Sequence, residues 1–327
     1  STIIDLADQI LPPLDFEMAK MAQNELETNG VKVYLKDSVA EIKDNGKTAV
    51  LKSGIVLKTD LIIMAVGVRP ESRLAISGGL KVGPKGHIVT NEHLQTIDAK
   101  SDEVIPDVYA AGDAIEVKDF IDGTPTAVPL AWPANRQGRL VADHMNGWDV
   151  KFNGSLGTSI VKVFSLTAAS TGNNQKTLDR KKVEYRAVMV TRSNHAGYYP
   201  GASDIVIKLL FSPVTGKILG AQAIGKDGTD KRIDVIATAI KGGLTIFDLP
   251  DLELAYAPPF GSSKDPVNIA GYVGSNMMQK EFGVVNQQQL EEFRKKKALV
   301  IDSRTPLEFS IGHIEGAVNI PYMGIRD

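Results

Sequence analysis

The chain has 327 residues, 43% hydrophobic and 23% charged, which fits two or three folded domains and excludes intrinsic disorder. Its 37 basic and 39 acidic side chains leave a net charge of −2, too balanced for a surface that grips nucleic acid or an anionic membrane. The absence of cysteine removes disulfides, thiolate metal sites and cysteine nucleophiles from these residues, and the five histidines lack ligand-like spacing, so no metal is expected.

Residues 2–5 read as a short apolar strand ending in Asp5. Asp15 or a neighbour then caps a helix running to about Asn29, with Phe16, Ala19, Ala22 and Leu26 at helical spacing. Gly30 stops it, and residues 31–34 alternate as the next strand. Short strands follow at 38–42, 48–51 and 55–57, separated by Asn45-Gly46 and Ser53-Gly54 turns. Residues 61–65 form a fully apolar run, as expected of a strand buried on both faces. That run, extended to Val68, is far shorter than the roughly 20 residues a membrane span requires, so no membrane partner is expected. Strand, helix, strand, antiparallel excursion and buried strand together give an α/β pattern.

Residues 108–111 make a small-residue strand ending at Gly112-Asp113, and Pro133 opens a helix of about 13 residues to Met145. From about Phe152 strands dominate, at 160–164, 183–190, 205–211 and 218–224, followed by helices at 230–241 and 263–278. This is an antiparallel sheet with helices on one side. Residues 282–286 read as a linker, 287–297 as a polar helix, and 299–302 as a parallel-type strand. Ser1 begins in mid-strand without an initiator Met, and residues 300–327 open a new alternating pattern and stop. The chain is therefore expected to be a segment of a longer polypeptide.

Several stretches could carry chemistry. Asp5, closing a strand of a βαβ unit, can accept hydrogen bonds from an adenosine ribose, though a lone strand-end Asp more often caps a helix or forms a turn. Gly67, after the apolar run, lets backbone approach a ligand closely or simply turns the chain out of a sheet. Pro106-Asp107-Val108-Tyr109-Ala110-Ala111-Gly112-Asp113 puts a carboxylate just after a glycine, suited to a polyol hydroxyl. Leu130-Ala131 begins the next helix, whose free N–H groups and positive dipole suit negative charge; the plainer reading is an ordinary helix start. His195-Ala196-Gly197-Tyr198-Tyr199-Pro200-Gly201 packs two phenols beside a Pro-Gly turn. The stretch 255–266 puts Tyr256 and Lys264 on one loop. A phenol can donate a proton or a hydrogen bond, and an ammonium can pair with an anion; interface packing also accounts for tyrosines here.

Taken in order, these motifs resemble the flavin-dependent pyridine nucleotide–disulfide oxidoreductases, specifically the coenzyme A-disulfide reductase branch fused to a rhodanese domain. The resemblance implies portions of an α/β flavoprotein with two dinucleotide-binding domains, an α+β dimerisation domain and the start of a rhodanese-like α/β module. It places residues 1–66 in the NAD(P)H-binding domain, 67–150 in the FAD-binding domain, 151–282 in the dimerisation domain and 284–327 in the rhodanese-like domain. It implies FAD and NADH or NADPH as cofactors, with Gly112, Asp113, Leu130, Ala131, Asp5 and Gly67 on the cofactor side. Asp5 leans towards NADH, because its charge would repel a 2′-phosphate. Tyr198, Lys264, Asn135 and Arg139 match substrate-side positions, and Tyr256, from the partner subunit, sits near flavin and sulfur.

In the rhodanese-like stretch, Asp302 and Arg304 are expected to form a buried ion pair. The implied activity is reduction of a coenzyme A persulfide, polysulfide or disulfide by NAD(P)H, in a cytoplasmic homodimer, through a cysteine lying outside these residues. Two alternatives stay open: an NADH oxidase or peroxidase of the same fold, and a non-catalytic dimerisation fragment.

Overall fold

The computed structural model describes residues 1–280, 282–285 and 287–324, which fall into two units, 1–278 and 279–327. The first unit opens with β1 (Thr2–Asp5), α1 (Phe16–Thr28) and β2 (Lys32–Leu35), the two strands pairing in parallel across the helix. An antiparallel meander follows, β3 (Val39–Lys43), β4 (Thr48–Leu51) and β5 (Val56–Lys58). Asn45 and Gly46 take positive φ at the first of its turns and Gly54 at the second, as the Asn-Gly and Ser-Gly pairs predict.

Residues 61–65 depart from expectation. They form no strand, and Leu61, Ile63, Met64, Val66 and Val68 are exposed. A strand exists only through its ladder, and among the described residues no segment is hydrogen-bonded alongside this run, so its apolarity alone does not make it one.

Next come α2 (Arg73–Ser77), the antiparallel pair β6 (Gln95–Ile97) and β7 (Val104–Tyr109), and a second pair β8 (Val117–Lys118) and β9 (Pro125–Thr126). α3 (Ala131–Met145) starts two residues before Pro133, so the proline sits inside the first turn, where its missing N–H leaves no hydrogen bond unmade. A small core of Leu94, Ile115, Val117, Leu140 and Phe152 holds this part together.

The centre of the unit is a five-stranded antiparallel sheet ordered β10 (Ser159–Val163), β11 (Leu166–Gly172), β14 (Ile218–Gly225), β13 (Asp204–Phe211), β12 (Arg186–Ser193). Two of its companions were not legible in the sequence: β11, and the short helix α4 (Gln175–Lys181), which Asn174 caps by accepting a hydrogen bond from Thr177 N–H. Residues 183–185, expected in the strand, precede it, because Lys182 takes a left-handed conformation that ends α4 late.

Along 205–209 of β13 and 221–224 of β14 the side chains divide by parity. Ile205, Ile207, Leu209, Phe211, Ala221 and Ala223 join the main core with α5 (Thr229–Lys241) and α6 (Pro266–Met278). Val206 and Ile224 face the other way, against Met18, Ala19 and Ala22 of α1. Helices on one side only is therefore corrected: α1 covers the second face, and every residue of β14 is buried.

That second face carries a buried polar knot. Lys208, paired across the strands with Gln222, places its ammonium 2.8 Å from Asp15, which accepts from Gln222 Nε2 at 2.7 Å and from the backbone N–H of Gln175 at 2.9 Å. Asp15 does stand at the amino end of α1, but its carboxylate serves this knot and not the helix. The lysine and both of these partners are almost fully buried, so each charge needs its neighbours.

The second unit contains α7 (Gln287–Lys295), β15 (Ile301–Asp302), α8 (Pro306–Ile311) and β16 (Val318–Asn319), with β15 and β16 parallel. Thr305 and Glu308 form a reciprocal capping box at the start of α8. Arg304 grips Asp302 through a fork of N–H groups, the closest at 2.6 Å. The expected ion pair forms but is only half-buried: the Asp302 side chain is 12% exposed and that of Arg304 46%. Residues 325–327 lie outside the described residues.

Candidate active site

Two clusters within 1–278 gather the sequence-derived candidates. The first is built where β7 ends. Gly112 turns the chain with φ of 80°, a conformation costly for any side chain, and its N–H donates to Gln137 Oε1 of α3 at 2.7 Å. Gln137 is buried, so this hydrogen bond fixes the turn against the helix. Asp113 follows in a single 3₁₀ turn, exposed, with no ion-pair or hydrogen-bond partner among the described residues.

Beside the turn, α3 begins at Leu130-Ala131 with no side-chain cap. Its first-turn N–H groups at Ala131 and Trp132 have no acceptor among the described residues, and both residues are exposed. A free carboxylate, a glycine corner and an open helix end therefore lie together, a donor and acceptor set suited to a polar, partly anionic group. Asn135 and Arg139 lie on the exposed side of the same helix. Asn135 Nδ2 donates back to Ala131 O at 2.8 Å, and Arg139 Nε donates to Asp143 at 2.8 Å.

Asp5 and Gly67 are on other elements. Asp5 accepts from the N–H of Ala7 at 2.9 Å, the turn-forming role that the plainer reading of a strand-end Asp allows. Gly67 turns with φ of 86° within the exposed run.

The second cluster is made by two loops. Residues 194–203 leave β12 and return to β13; residues 255–265 lead into α6. The loops touch where Ala196 N–H donates to Pro258 O at 3.3 Å. At their tips Tyr198 and Tyr256 are exposed, and the neighbouring Tyr256 hydroxyl pushes the Tyr198 phenol above its ordinary pKa, with burial adding to the shift. Lys264 is exposed on the same loop as Tyr256, its ammonium 5.6 Å from the Tyr272 ring centre. Two exposed phenols on touching loops can offer a proton or hydrogen bond, and an exposed ammonium at the end of one of those loops can offer a cation to an anionic molecule.

Under these loops lies a group that sequence reasoning passed over. Arg232 is 2% exposed and is bonded to Asp265, itself 3% exposed. An arginine on an amphipathic helix ordinarily reads as solvent-facing. The available signal was its register, since Arg232 shares the inward stripe of α5 with Ile233, Ile236 and Ile240.

Residues 1–138 match the family model described as pyridine nucleotide-disulphide oxidoreductase, 158–265 match its dimerisation domain, and 286–326 match a rhodanese-like domain. The coenzyme A disulfide reductase of Staphylococcus aureus (strain bovine RF122 / ET3-1) is 37% identical over 272 residues, 83% of this chain and 60% of that protein. Among solved structures, reduced CoADR-RHD of Bacillus anthracis superposes with a TM-score of 0.95 at 48% identity, covering all of this chain and 57% of that one. An NAD-dependent persulfide reductase from A. fulgidus gives a TM-score of 0.89 at 34% identity, over 100% and 58% of the two chains. The chain thus spans about 60% of the length of the curated relatives it matches.

Proposed function

The chain belongs to the pyridine nucleotide-disulphide oxidoreductases, and from that premise we propose that it is part of an FAD-dependent NAD(P)H oxidoreductase that reduces coenzyme A persulfides, polysulfides or coenzyme A disulfide. Its domains follow as NAD(P)H-binding to residue 66, FAD-binding from 67 to 150, dimerisation from 151 to 282 and rhodanese-like from 284. When bound, FAD would supply two-electron transfer between the nicotinamide and a sulfur centre. Gly112, Asp113, Leu130 and Ala131 would hold it: the carboxylate accepts from a hydroxyl chain, and the open helix end faces developing negative charge. Asp5 would meet the NADH ribose and disfavour a 2′-phosphate, and Gly67 would give backbone access to the cofactor. No cysteine is present, so the redox-active thiol belongs outside these residues.

The substrate assignment rests on one observation, the exposed phenols of Tyr198 and Tyr256 on two loops joined by the Ala196 N–H to Pro258 O hydrogen bond, with an exposed Lys264 at the end of the second loop. The phosphates of coenzyme A supply the anion that Lys264 would pair with, and Tyr256, donated across a homodimer, would hydrogen-bond or protonate the departing sulfur. Asn135 and Arg139 complete the substrate side. A persulfide is favoured over a plain disulfide because the appended rhodanese-like module belongs to sulfane chemistry.

The test is NADH oxidation by the full-length protein with coenzyme A persulfide, coenzyme A disulfide, oxygen and peroxide as acceptors. Lys264→Met should raise KM for the coenzyme A-linked acceptors about tenfold, the loss of roughly one charge-assisted contact, and leave the small oxidants unchanged. Faster wild-type turnover with peroxide or oxygen than with either coenzyme A substrate would overturn the assignment in favour of an oxidase or peroxidase. A soluble, colourless, inactive dimer would favour a purely structural role.

A further inference from the structure

We infer that Arg232 is a positioning residue that sets the relative placement of the loops bearing Tyr198 and Tyr256, an inference that rests on the functional reading above. The guanidinium uses its fork on three segments at once. Nε and Nη2 both donate to the Asp265 carboxylate, Nη2 at 2.8 Å; Nη2 also donates to Asn194 O at 2.6 Å, and Nη1 donates to Gly228 O at 3.2 Å. Asn194 is the first residue of the loop bearing Tyr198, and Asp265 directly follows Lys264 at the end of the loop bearing Tyr256. One buried cation therefore ties the roots of both loops to the first turn of α5.

Each anchor is in turn fixed. Asn194 closes its loop on Ser203, donating its N–H to Ser203 O at 2.8 Å and accepting Ser203 N–H on its side chain at 2.9 Å. Asp265 accepts from Val267 N–H at 3.1 Å and donates its own N–H to Asn268 at 2.9 Å, which locks the start of α6. Gly228 has φ of 75°, and a Cβ there would collide with Arg232 Nη1, so the turn leaves space only for the guanidinium.

The energetics favour a geometric role over a stabilising one. A buried ion pair contributes little net stability relative to an apolar replacement of the same volume, because desolvation offsets the attraction. What an apolar residue cannot supply is simultaneous orientation of two loops. Lysine, a point charge, cannot reproduce the fork either. Tyr198 and Tyr256 at the tips are exposed, and among the described residues Ala196 N–H to Pro258 O is the one backbone hydrogen bond between the two loops, so their alignment depends on their roots.

Arg232→Lys and Arg232→Met in the full-length protein test this, with Lys208→Met as a control that breaks a comparably buried ion pair beneath α1, away from the loops. Acceptor kinetics with coenzyme A persulfide are set against NADH–ferricyanide turnover, which needs neither loop. Arg232→Lys should lower kcat with the persulfide at least tenfold and raise its KM, while ferricyanide turnover stays within twofold. Amide exchange should quicken at least tenfold in 194–203 and 255–264 together. Lys208→Met should show neither effect. Unchanged persulfide kinetics in Arg232→Lys, a parallel loss of both activities, exchange quickened in one loop only, or the same selective loss in Lys208→Met would each overturn the inference. If the wild type turns over no coenzyme A-linked acceptor, the functional reading falls instead, and the exchange measurement alone decides the role of Arg232.

Discussion

Two apolar stretches of this chain have opposite fates. In β14 every residue is buried, whereas in 61–68 Leu61 is 77% exposed and Val66 83%. Composition does not separate them, since 61–68 is the more hydrophobic of the two. Hydrogen-bonding neighbours do: β14 lies between β11 and β13, with α1 on one face and α5 and α6 on the other. Burial in a sheet is a property of the ladder and its covering layers, and hydrophobicity is only the requirement for joining one.

The sharpest way to break this comparison is to shorten one side chain in each stretch or its neighbour. Leu209 in β13 is fully buried, so Leu209→Ala should cost the chain about 2–5 kcal/mol through lost contact and the cavity left behind. Ile63→Ala, at 79% exposure, should change stability by less than about 0.5 kcal/mol. Denaturant unfolding midpoints read both. Equal costs would mean that 61–68 is packed in solution.

A second, smaller effect tests the layer between these regions. Asp15→Ala removes the carboxylate that neutralises Lys208 and accepts from Gln222 and Gln175, and breaking a buried pair costs about 3 kcal/mol. The loss should show first as faster amide exchange along α1, with β13 and β14 protected until global unfolding. Exchange that rises equally in helix and sheet would mean that α1 is no separable cover.

The same contrast explains what the sequence made legible. Elements whose partners are local in sequence were readable: the helix after Asp15, the turns at Asn45-Gly46 and Ser53-Gly54, and the strands at 48–51, 205–211 and 218–224. The failures have two causes, a missing partner strand and small side chains that carry no alternating signal. Residues 61–65 look like a strand because periodicity cannot report an absent neighbour. β11, with its Thr-Ala-Ala-Ser-Thr interior, looks like nothing in particular and is a strand because β10 and β14 flank it. The site divides likewise. Tyr198, Tyr256, Asp113 and Lys264 were marked by residue type beside glycine and proline turns, and Tyr198 and Tyr256 stand on touching loops. Arg232 and Asp265 lie 33 positions apart, and nothing short of the fold brings them together.

The smallest expected effect concerns the surface where 119–122 meets the five-stranded layer, intermediate between the two stretches in burial. Lys181 reaches Asp119 at 2.6 Å and Asp122 at 2.8 Å. Burial pushes the Asp122 carboxyl up, but hydrogen bonds from Lys181 and Thr124 outweigh it and hold it below its ordinary value; burial lowers Lys181, and the two carboxylates more than restore it. Tyr185, on the same side of the sheet as the core, is pushed up to about 12 by burial, with Asp179 adding to the shift. A depressed Asp stabilises the fold above the ordinary carboxyl range, and that contribution is lost as pH falls through the lowered value. A raised Lys or Tyr stabilises below its ordinary value, and that contribution is lost as pH climbs towards the raised one. Stability should therefore be level from about pH 6 to 9, decline below about 4, and decline again above about 10. Each of these groups should contribute less than about 1 kcal/mol, the range for partly solvated pairs. Lys181→Met should remove part of the acid-side slope and Tyr185→Phe part of the alkaline one, read from urea midpoints across pH. If Tyr185→Phe leaves the alkaline limb unchanged, the phenol is as well hydrated in the folded chain as in the unfolded one, and this edge of the sheet belongs with 61–68 and not with β14.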